Sequence, residues 1–395
     1  MSPAVENSDS ISIGPRVEGL PEFQERLFVG RPNIGDREAF LARINNMLDR
    51  CWLTNDGPFV KELEERLAQF LNVRHCVAMC NATVALEIAV RALGLTGEVI
   101  VPSYTFIATA HALQWQQITP VFADIHEQTH CLDVASVEQM ITPRTTAIMG
   151  VHVWGQACDV DALTELARRR NLRLLFDAAH AFGCSHKGRM VGNNGDAEVF
   201  SFHATKFFNT FEGGAVTTND DELARKMRLM RNFGFSGVDN VTYIGTNGKM
   251  NEASAAMGLT NLDHVPEFID TNRRNWLAYR AALDCLPGLR VFPGNEGEKQ
   301  NYQYVVVEVD DSQCPVSRDD MVSYLHRQNI IARKYFWPGC HRMEPYRSLQ
   351  PHASLLLSTT EKVAARVFLL PTGTSISADM VQRVCEVIRG RLIQS

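Results

Sequence analysis

What this sequence lacks narrows its function before any motif is considered. It has no long hydrophobic run: apolar stretches such as residues 172–176, interrupted by Arg173, fall far short of the roughly 20 residues that cross a bilayer. It has no excess of positive charge, with 39 Lys and Arg against 45 Asp and Glu and a net charge of -6. The phosphate electrostatics of a dedicated nucleic-acid binder are therefore missing. Residues 1–10 are polar and acidic, without the basic start and apolar stretch of a secretory leader. The 10 cysteines show no regular spacing, so in a chain of 395 residues they are expected to be reduced, mostly buried thiols. No internal repeat and no low-complexity segment is present. With 45% hydrophobic and 21% charged residues, the expectation is a cytoplasmic globular protein with ample core, contacting neither membrane nor nucleic acid.

What is present points to an α/β architecture. Residues 1–28 carry Ser, Pro, Gly and charge without periodicity and are expected as a tail or arm. A helix is expected from Asp36 as cap, with Leu41, Ile44, Met47 and Leu48 on one face, and a second where Phe59, Leu63, Leu67 and Phe70 recur. From Glu98 the pattern becomes β-rich, with short runs at 98–102, 120–125, 146–151, 172–177, 199–203 and 214–218. Helical stretches such as 159–170 separate several of them, which predicts a mostly parallel sheet covered on both faces. This large α/β domain is expected over 29–265. Beyond Pro266, a helix at 272–286, a strand at 302–309 and helices at 319–328 and 378–392 predict a smaller α+β C-terminal domain over 266–395.

One motif is set aside. His126-Glu127-Gln128-Thr129-His130 matches the H-E-x-x-H pattern of zinc peptidases, whose two histidines must share one helical face. Here it directly follows a strand-like run and lacks helical periodicity, so a solvated loop is expected and no metal site is assigned. A zinc metallopeptidase stands as the alternative from another enzyme class.

Three other segments each place reactive groups at the end of a strand or the start of a helix. Residues 174–180 deliver Asp177 from an apolar strand, with His180 three residues on, where open α/β sheets bind ligands. Taken alone, Asp177 could equally cap the next segment. Residues 199–206 end in hydroxyls and Lys206, flanked by Phe202, Phe207 and Phe208, where loss of hydration would lower the amine's pKa. Residues 80–86 open a helix with small and polar residues, among them Ala82 and Thr83, a ready anion site. One ligand answering all three has a phosphate, an aldehyde for a lysine and a ring nitrogen for an aspartate. Pyridoxal 5′-phosphate has each.

With these residues in place, the sequence resembles the sugar aminotransferases of the DegT/DnrJ/EryC1/StrS family, a branch of the aspartate-aminotransferase fold (PLP-dependent transferase fold type I). The matching stretches are 81–86, 101–110, 177–181, 201–206, 212–214 and 245–252, and the resemblance runs from about Leu27 to the C-terminus. It implies that Lys206 forms the internal Schiff base and that Asp177 pairs with the pyridine nitrogen. Such a pair is worth on the order of 4 kcal/mol of Coulomb energy at about 4 Å and an effective dielectric near 20, before desolvation. The resemblance further implies Ala82, Thr83 and Ser201 at the phosphate, Phe106 stacked on the ring and His180 against the 3′-hydroxyl. It also implies Asn247 reaching the phosphate of the neighbouring subunit of a homodimer with shared active sites. His203 has two readings, a satisfied core histidine or a group at the site.

The lysine itself favours amino transfer, because the dehydrating relatives resemble this family with histidine in its place. The resemblance implies L-glutamate as amino donor and a nucleotide-linked ketosugar as acceptor. Residues 245–253 look closer to enzymes acting at C-4 of dTDP-4-keto-6-deoxyglucose than to those acting at C-3. The expected product is dTDP-4-amino-4,6-dideoxyglucose, as in antibiotic deoxysugar pathways, with a C-3 ketosugar aminotransferase as the alternative. The segment 335–341 resembles the substrate-facing loop of the small domain.

Overall fold

In the computed structural model, which describes residues 20–295 and 297–393, the apolar runs assemble into a seven-stranded sheet. Its order is His75–Met79, Gly214–Thr218, Ala197–Ser201, Arg173–Asp177, Thr145–Val151, Glu98–Pro102 and Thr119–Ala123. Five neighbouring strands run parallel, and Gly214–Thr218 is antiparallel to both of its partners. The central strands are buried on both faces, which is why they read as continuous apolar runs rather than alternating ones. The edge strand His75–Met79 was absent from the sequence reading, since only Val77 in it is β-branched. Its place is set by the Gly214–Thr218 strand beside it.

The first helix, Arg37–Asp49, is capped as expected: the Asp36 carboxylate accepts the N–H groups of Glu38 and Ala39. Its inward face is narrower than the sequence suggested. Met47 is buried and Phe40 and Ile44 are half-buried, but Leu41 and Leu48, one step further round the helix, are exposed. The next helix, Pro58–Leu71, buries Phe59, Leu63 and Leu67.

The boundary expected at 265/266 falls at the start of a helix. Pro266 occupies the first turn of a continuous helix, Val265–Leu283, where its missing N–H costs nothing. Val265 and Phe268 at one end of that helix pack into the large-domain core, whereas Trp276, Tyr279 and Leu283 pack into the C-terminal core. That second core surrounds an antiparallel sheet of Leu289–Val291, Val305–Val309 and Val367–Leu370, flanked by the helices Arg318–Arg327 and Ala378–Ile393. The strand expected at 302–309 starts only at Val305: Tyr302 has a φ of +49°, outside the extended region, and the Asn301 and Gln303 side chains tie this stretch to the His180 carbonyl. Most of the expected N-terminal arm, residues 1–19, lies outside the described residues. Its end is part of the body: Leu27–Phe28 pairs in parallel with Ile330–Ile331, and Phe23 and Leu27 are buried in the C-terminal core. Among the described residues no helix is long and apolar enough to cross a membrane.

One buried carboxylate joins distant parts of the large domain. The Pro58–Leu71 helix begins at Gly57, which has no side chain to cap it. Glu252, only 1% exposed, takes over from the far side of the sequence and accepts the N–H groups of Phe59 at 2.8 Å and Val60 at 2.9 Å. A Cβ at position 57 would lie 2.4 Å from that carboxylate, so glycine leaves the room it needs. Glu252→Gln replaces one of the two acceptor oxygens by an N–H donor facing a backbone donor. It is expected to lower stability by about 1–3 kcal/mol. Urea unfolding followed by tryptophan fluorescence checks this as a fall in midpoint with an unchanged denaturant slope.

Candidate active site

The sheet delivers its chemistry at the carboxyl ends of its parallel strands. Asp177 ends the Arg173–Asp177 strand and is 6% exposed. Its carboxylate accepts a hydrogen bond from Thr109 Oγ1 at 2.7 Å and another from the Ala179 N–H at 3.0 Å. Thr109 Oγ1 lies 2.8 Å from Thr105 Oγ1, one helical turn away. Burial pushes the Asp177 carboxyl above its ordinary value, and the two donors together with the Lys206 charge pull against it.

Lys206 follows the neighbouring strand, Ala197–Ser201. Burial brings its amine down to about 8, against the opposing influence of Asp177 and Tyr335. The aromatic surroundings differ from those the sequence suggested. Phe202, Phe207 and Phe208 turn away and pack around Phe182 in the core. The ring beside the amine is instead Tyr304 of the C-terminal unit, whose hydroxyl accepts from Lys206 Nζ at 3.2 Å and whose centroid lies 5.8 Å away.

The third element is the start of the helix Ala82–Ala92. Asn81 caps it by accepting the Val84 N–H at 2.9 Å. The N–H groups of Ala82 and Thr83 have no acceptor within their own helix. The strand opening at Gly214 runs directly beneath: a Cβ there would sit 2.6 Å from the Ala82 nitrogen, so the last glycine of Glu212-Gly213-Gly214 permits the close approach.

These groups surround one cavity of about 280 Å³. It brings together Ala82, Thr83, Phe106, Asp177, His180, Ser201 and Lys206. His203 also lines it, half-exposed and 2.8 Å from Thr205 Oγ1, so it is not a core histidine. Asn247 is not among the lining residues. It is exposed, accepts from Lys249 Nζ at 2.6 Å and lies next to Gly248, whose carbonyl accepts the Cys80 N–H at 2.8 Å. His126 and His130 do not meet as metal ligands. They sit in a tight turn closed by an Ile125–Leu132 bridge, His126 exposed and His130 fully buried with a φ of +59°, which corrects the expected solvated loop. The turn folds His130 inward against Tyr104 and Phe292. Among the described residues no cluster of three or more His, Cys, Asp or Glu is arranged to hold a metal ion. All 10 cysteines are free, and seven of them are buried.

Several lining residues escaped the sequence reading because they come from the C-terminal unit. Tyr304, Tyr335 and Phe336 close one side of the cavity. Asn301 and Gln303 donate to the His180 carbonyl, each at 2.8 Å, and so bind the approach of that unit to the strand end. The 335–341 segment is tied to residues 103–105 in turn. Tyr104 donates to the Tyr335 carbonyl at 2.8 Å, Cys340 N–H to the Ser103 carbonyl at 2.9 Å, and Ser103 Oγ lies 2.6 Å from His341 Nδ1. His341 Nε2 lies 2.7 Å from Glu361 Oε1. This Ser–His–Glu line has the order of a hydrolase triad, but Ser103 is fully buried and its oxygen already accepts the His341 N–H, so it fastens a loop. Thr109 lay inside the matched stretch 101–110 yet carried no recognised role, since only the fold brings it to Asp177.

Comparison with known proteins places this geometry in context. The model of the DegT/DnrJ/EryC1/StrS aminotransferase family matches residues 35–389. The chain is 37% identical to the dTDP-4-amino-4,6-dideoxy-D-glucose transaminase of Shigella dysenteriae over 367 residues, covering 93% of this chain and 99% of that one. It is 36% identical to the Escherichia coli protein of the same name, covering 92% and 98%. Among solved structures it is similar to DesI, determined in the presence of its TDP-sugar product, with 51% identity, a TM-score of 0.90 and coverage of 95% and 96%. It is also similar to Helicobacter pylori PseC, an aminotransferase involved in pseudoaminic acid biosynthesis, with 28% identity, a TM-score of 0.87 and coverage of 94% and 100%.

The lowered pKa of Lys206 has a direct readout. Only the neutral amine reacts with trace acetic anhydride, so acetylation of Lys206 in cofactor-free protein is expected to reach half its maximum near pH 8. Because Asp177 favours the charged amine, Asp177→Asn is expected to move that midpoint to lower pH. The folded amine also binds its proton more weakly than the unfolded one. Lys206 therefore costs stability fully below about pH 8, and stability recovers as pH rises from there towards 10.5. Peptide-resolved mass spectrometry across pH 6–11 checks the profile in both proteins.

Proposed function

From the premise that this chain belongs to the DegT/DnrJ/EryC1/StrS aminotransferase family, we propose that it transfers an amino group from L-glutamate to C-4 of dTDP-4-keto-6-deoxyglucose, giving dTDP-4-amino-4,6-dideoxyglucose in a deoxysugar pathway. It is an enzyme, a sugar aminotransferase. The observation that carries the reading is the convergence of Lys206, Asp177 and the Ala82–Thr83 helix start on one cavity. The choice of C-4 is supported by two transaminases of dTDP-4-amino-4,6-dideoxy-D-glucose at 37% and 36% identity and by the 51% identity to DesI.

The cavity fits pyridoxal 5′-phosphate. Its donor set offers a buried amine for an aldehyde, a buried carboxylate for a ring nitrogen and two unpaired helix N–H groups with Ser201 for a phosphate. Lys206 would hold the cofactor covalently, Asp177 its ring nitrogen, Ala82, Thr83 and Ser201 its phosphate, and Phe106 the face of its ring. When bound, this cofactor supplies an electron sink and a temporary carrier for the amino group.

The chain's own contributions follow from their surroundings. Asp177 keeps a proton on the partner nitrogen, because its charge in a dry site favours the protonated form. Thr109 and Ala179 fix that carboxylate in one orientation. Once the donor's amine has displaced Lys206 from the cofactor, its Nζ, whose neutral form burial favours, would be the base that takes and returns the proton moved during transfer. Tyr304 holds the amine by its hydroxyl, and with Tyr335 and Phe336 it excludes water. The sugar's nucleotide and the donor carboxylate enter from the open side, where Phe106 is 59% exposed.

The working unit is a homodimer whose sites are shared through Asn247. This is supported by the exposed apolar side chains Phe233, Phe235, Val238, Val241 and Ile244 on the loop leading to Asn247. Leu41 and Leu48, left bare on the first helix, fit the same reading.

Two experiments test these proposals. Purified protein with glutamate and a panel of dTDP-ketosugars, read by mass spectrometry, is expected to aminate the 4-keto-6-deoxy sugar and leave 3-keto isomers untouched. Borohydride reduction of the cofactor-loaded protein before glutamate is added is expected to tag Lys206. The sharing is tested by mixing Lys206→Ala and Asn247→Ala proteins, each impaired alone, under subunit exchange tracked by different tags. Heterodimers are expected to regain activity from one intact site, and exchange without recovery excludes sharing through Asn247.

A further inference from the structure

His130, the second histidine of the H-E-x-x-H stretch, is not among the residues lining the site cavity, yet it is completely buried, with Nδ1 held by a hydrogen bond and Nε2 close to a carboxylate. Trp154 Nε1 donates to His130 Nδ1 at 3.1 Å. That nitrogen is therefore unprotonated, and the ring proton lies on Nε2, 2.9 Å from Glu308 Oε1 and off the ideal hydrogen-bond axis. Glu308 is itself fixed by Arg290 on the adjacent strand, whose Nε donates at 2.7 Å. A line of polar contacts thus runs from the C-terminal sheet through His130 to the indole.

Trp154 needs such support. Its φ is +61°, in the left-handed region, where a Cβ crowds the backbone. A bulky side chain persists there only when its surroundings over-determine it. Here the indole stacks on Phe336 at 5.5 Å and on His180 at 5.8 Å, and the His130 bond fixes it edge-on. In this conformation the Trp154 backbone N–H reaches His180 Nδ1 at 3.4 Å. Burial, with the Lys206 charge in support, pushes the His180 imidazole well below its ordinary pKa, so it is neutral. A neutral imidazole whose Nδ1 accepts carries its one proton on Nε2.

We propose that His130 and Trp154 are positioning residues: together they hold the Trp154 N–H against His180 Nδ1 and so keep His180 in its Nε2-protonated tautomer, a hydrogen-bond donor for an oxygen of the bound cofactor. The inference rests on the reading of the cavity as a cofactor pocket. His180 is the residue that lines the cavity, and His130 and Trp154 act on it from behind.

The test is long-range ¹H–¹⁵N correlation of the histidine side chains in the cofactor-free, full-length protein. His180 is identified among the 12 histidines by the signals lost in His180→Asn. Wild type is expected to show His180 with Nε2 protonated and Nδ1 bare. In His130→Ala and in Trp154→Phe, the two nitrogen shifts of His180 are expected to move towards each other as the tautomers mix. His130→Gln, whose amide oxygen can still accept the indole N–H, is expected to keep the wild-type pattern. A merely structural role would lower the thermal midpoint in these variants without moving the His180 shifts. The proposal is overturned by an Nδ1-protonated or mixed His180 in wild type, or by an unmoved pattern in folded Ala and Phe variants. It is also overturned if the Gln variant loses the pattern as fully as Ala. If His130→Ala does not fold, wild type and Trp154→Phe decide. An untagged Lys206 after borohydride reduction would instead sink the cofactor reading while leaving this spectrum unchanged, so the two failures are distinguishable.

Discussion

Removing Asp177 from water is the constraint around which the site is arranged. A buried carboxylate loses several kcal/mol of hydration unless charge and hydrogen bonds replace it. Here Thr109 and Ala179 supply the hydrogen bonds, and the Lys206 amine supplies the charge. The same burial that raises the acid lowers the amine, so each group's pKa depends on the other. A cationic ring nitrogen beside the carboxylate would relieve this tension, which is why the proposed cofactor suits this site.

The dryness of that site is made by the C-terminal unit, not by the strands that carry the reactive groups. Tyr304 bonds to the lysine, and Asn301 and Gln303 leave the strand pattern to grip the His180 carbonyl. The segment 335–341 is fastened to residues 103–105 by Tyr104, Ser103 and Cys340. Because the helix Val265–Leu283 contributes to both cores, the two units share one element at the expected boundary. Pre-organisation of this kind places catalytic groups before substrate arrives, which is where electrostatic catalysis gains most.

Motif and role do not coincide along this chain. In the stretch 245–252, Glu252 caps a helix by its carboxylate, so that residue reports the fold and not the choice of sugar carbon. The H-E-x-x-H stretch holds no metal cluster among the described residues, but its second histidine binds the indole behind His180. In the Ser103–His341–Glu361 line, the order of a hydrolase triad serves to anchor a loop. In each case burial and the direction of the hydrogen bonds decide the role.

Much of the fold was legible because it is local. The strands 98–102 and 214–218, the Asp36 cap and the apolar stripe of Phe59, Leu63 and Leu67 follow from patterns a few residues long. Of the residues that line the cavity, Ala82, Thr83, Asp177, His180, Ser201 and Lys206 were legible because strand ends and helix starts present reactive groups by rule, and Phe106 through the family resemblance. The edge strand His75–Met79 was not, because its pairing with Gly214–Thr218 spans well over a hundred positions and its own residues have little β preference. Nor were the aromatic neighbours of Lys206: Phe202, Phe207 and Phe208 are adjacent in sequence but alternate into the core, while Tyr304 arrives from a separate sheet. By itself the sequence determined the class of fold, the family and which side chains were candidates for the site, since those depend on short-range periodicity and on residue identity. Only the tertiary structure decided which rings dry the lysine, which threonine holds the aspartate and which tautomer His180 adopts, because desolvation and hydrogen-bond direction are set by groups far apart along the chain.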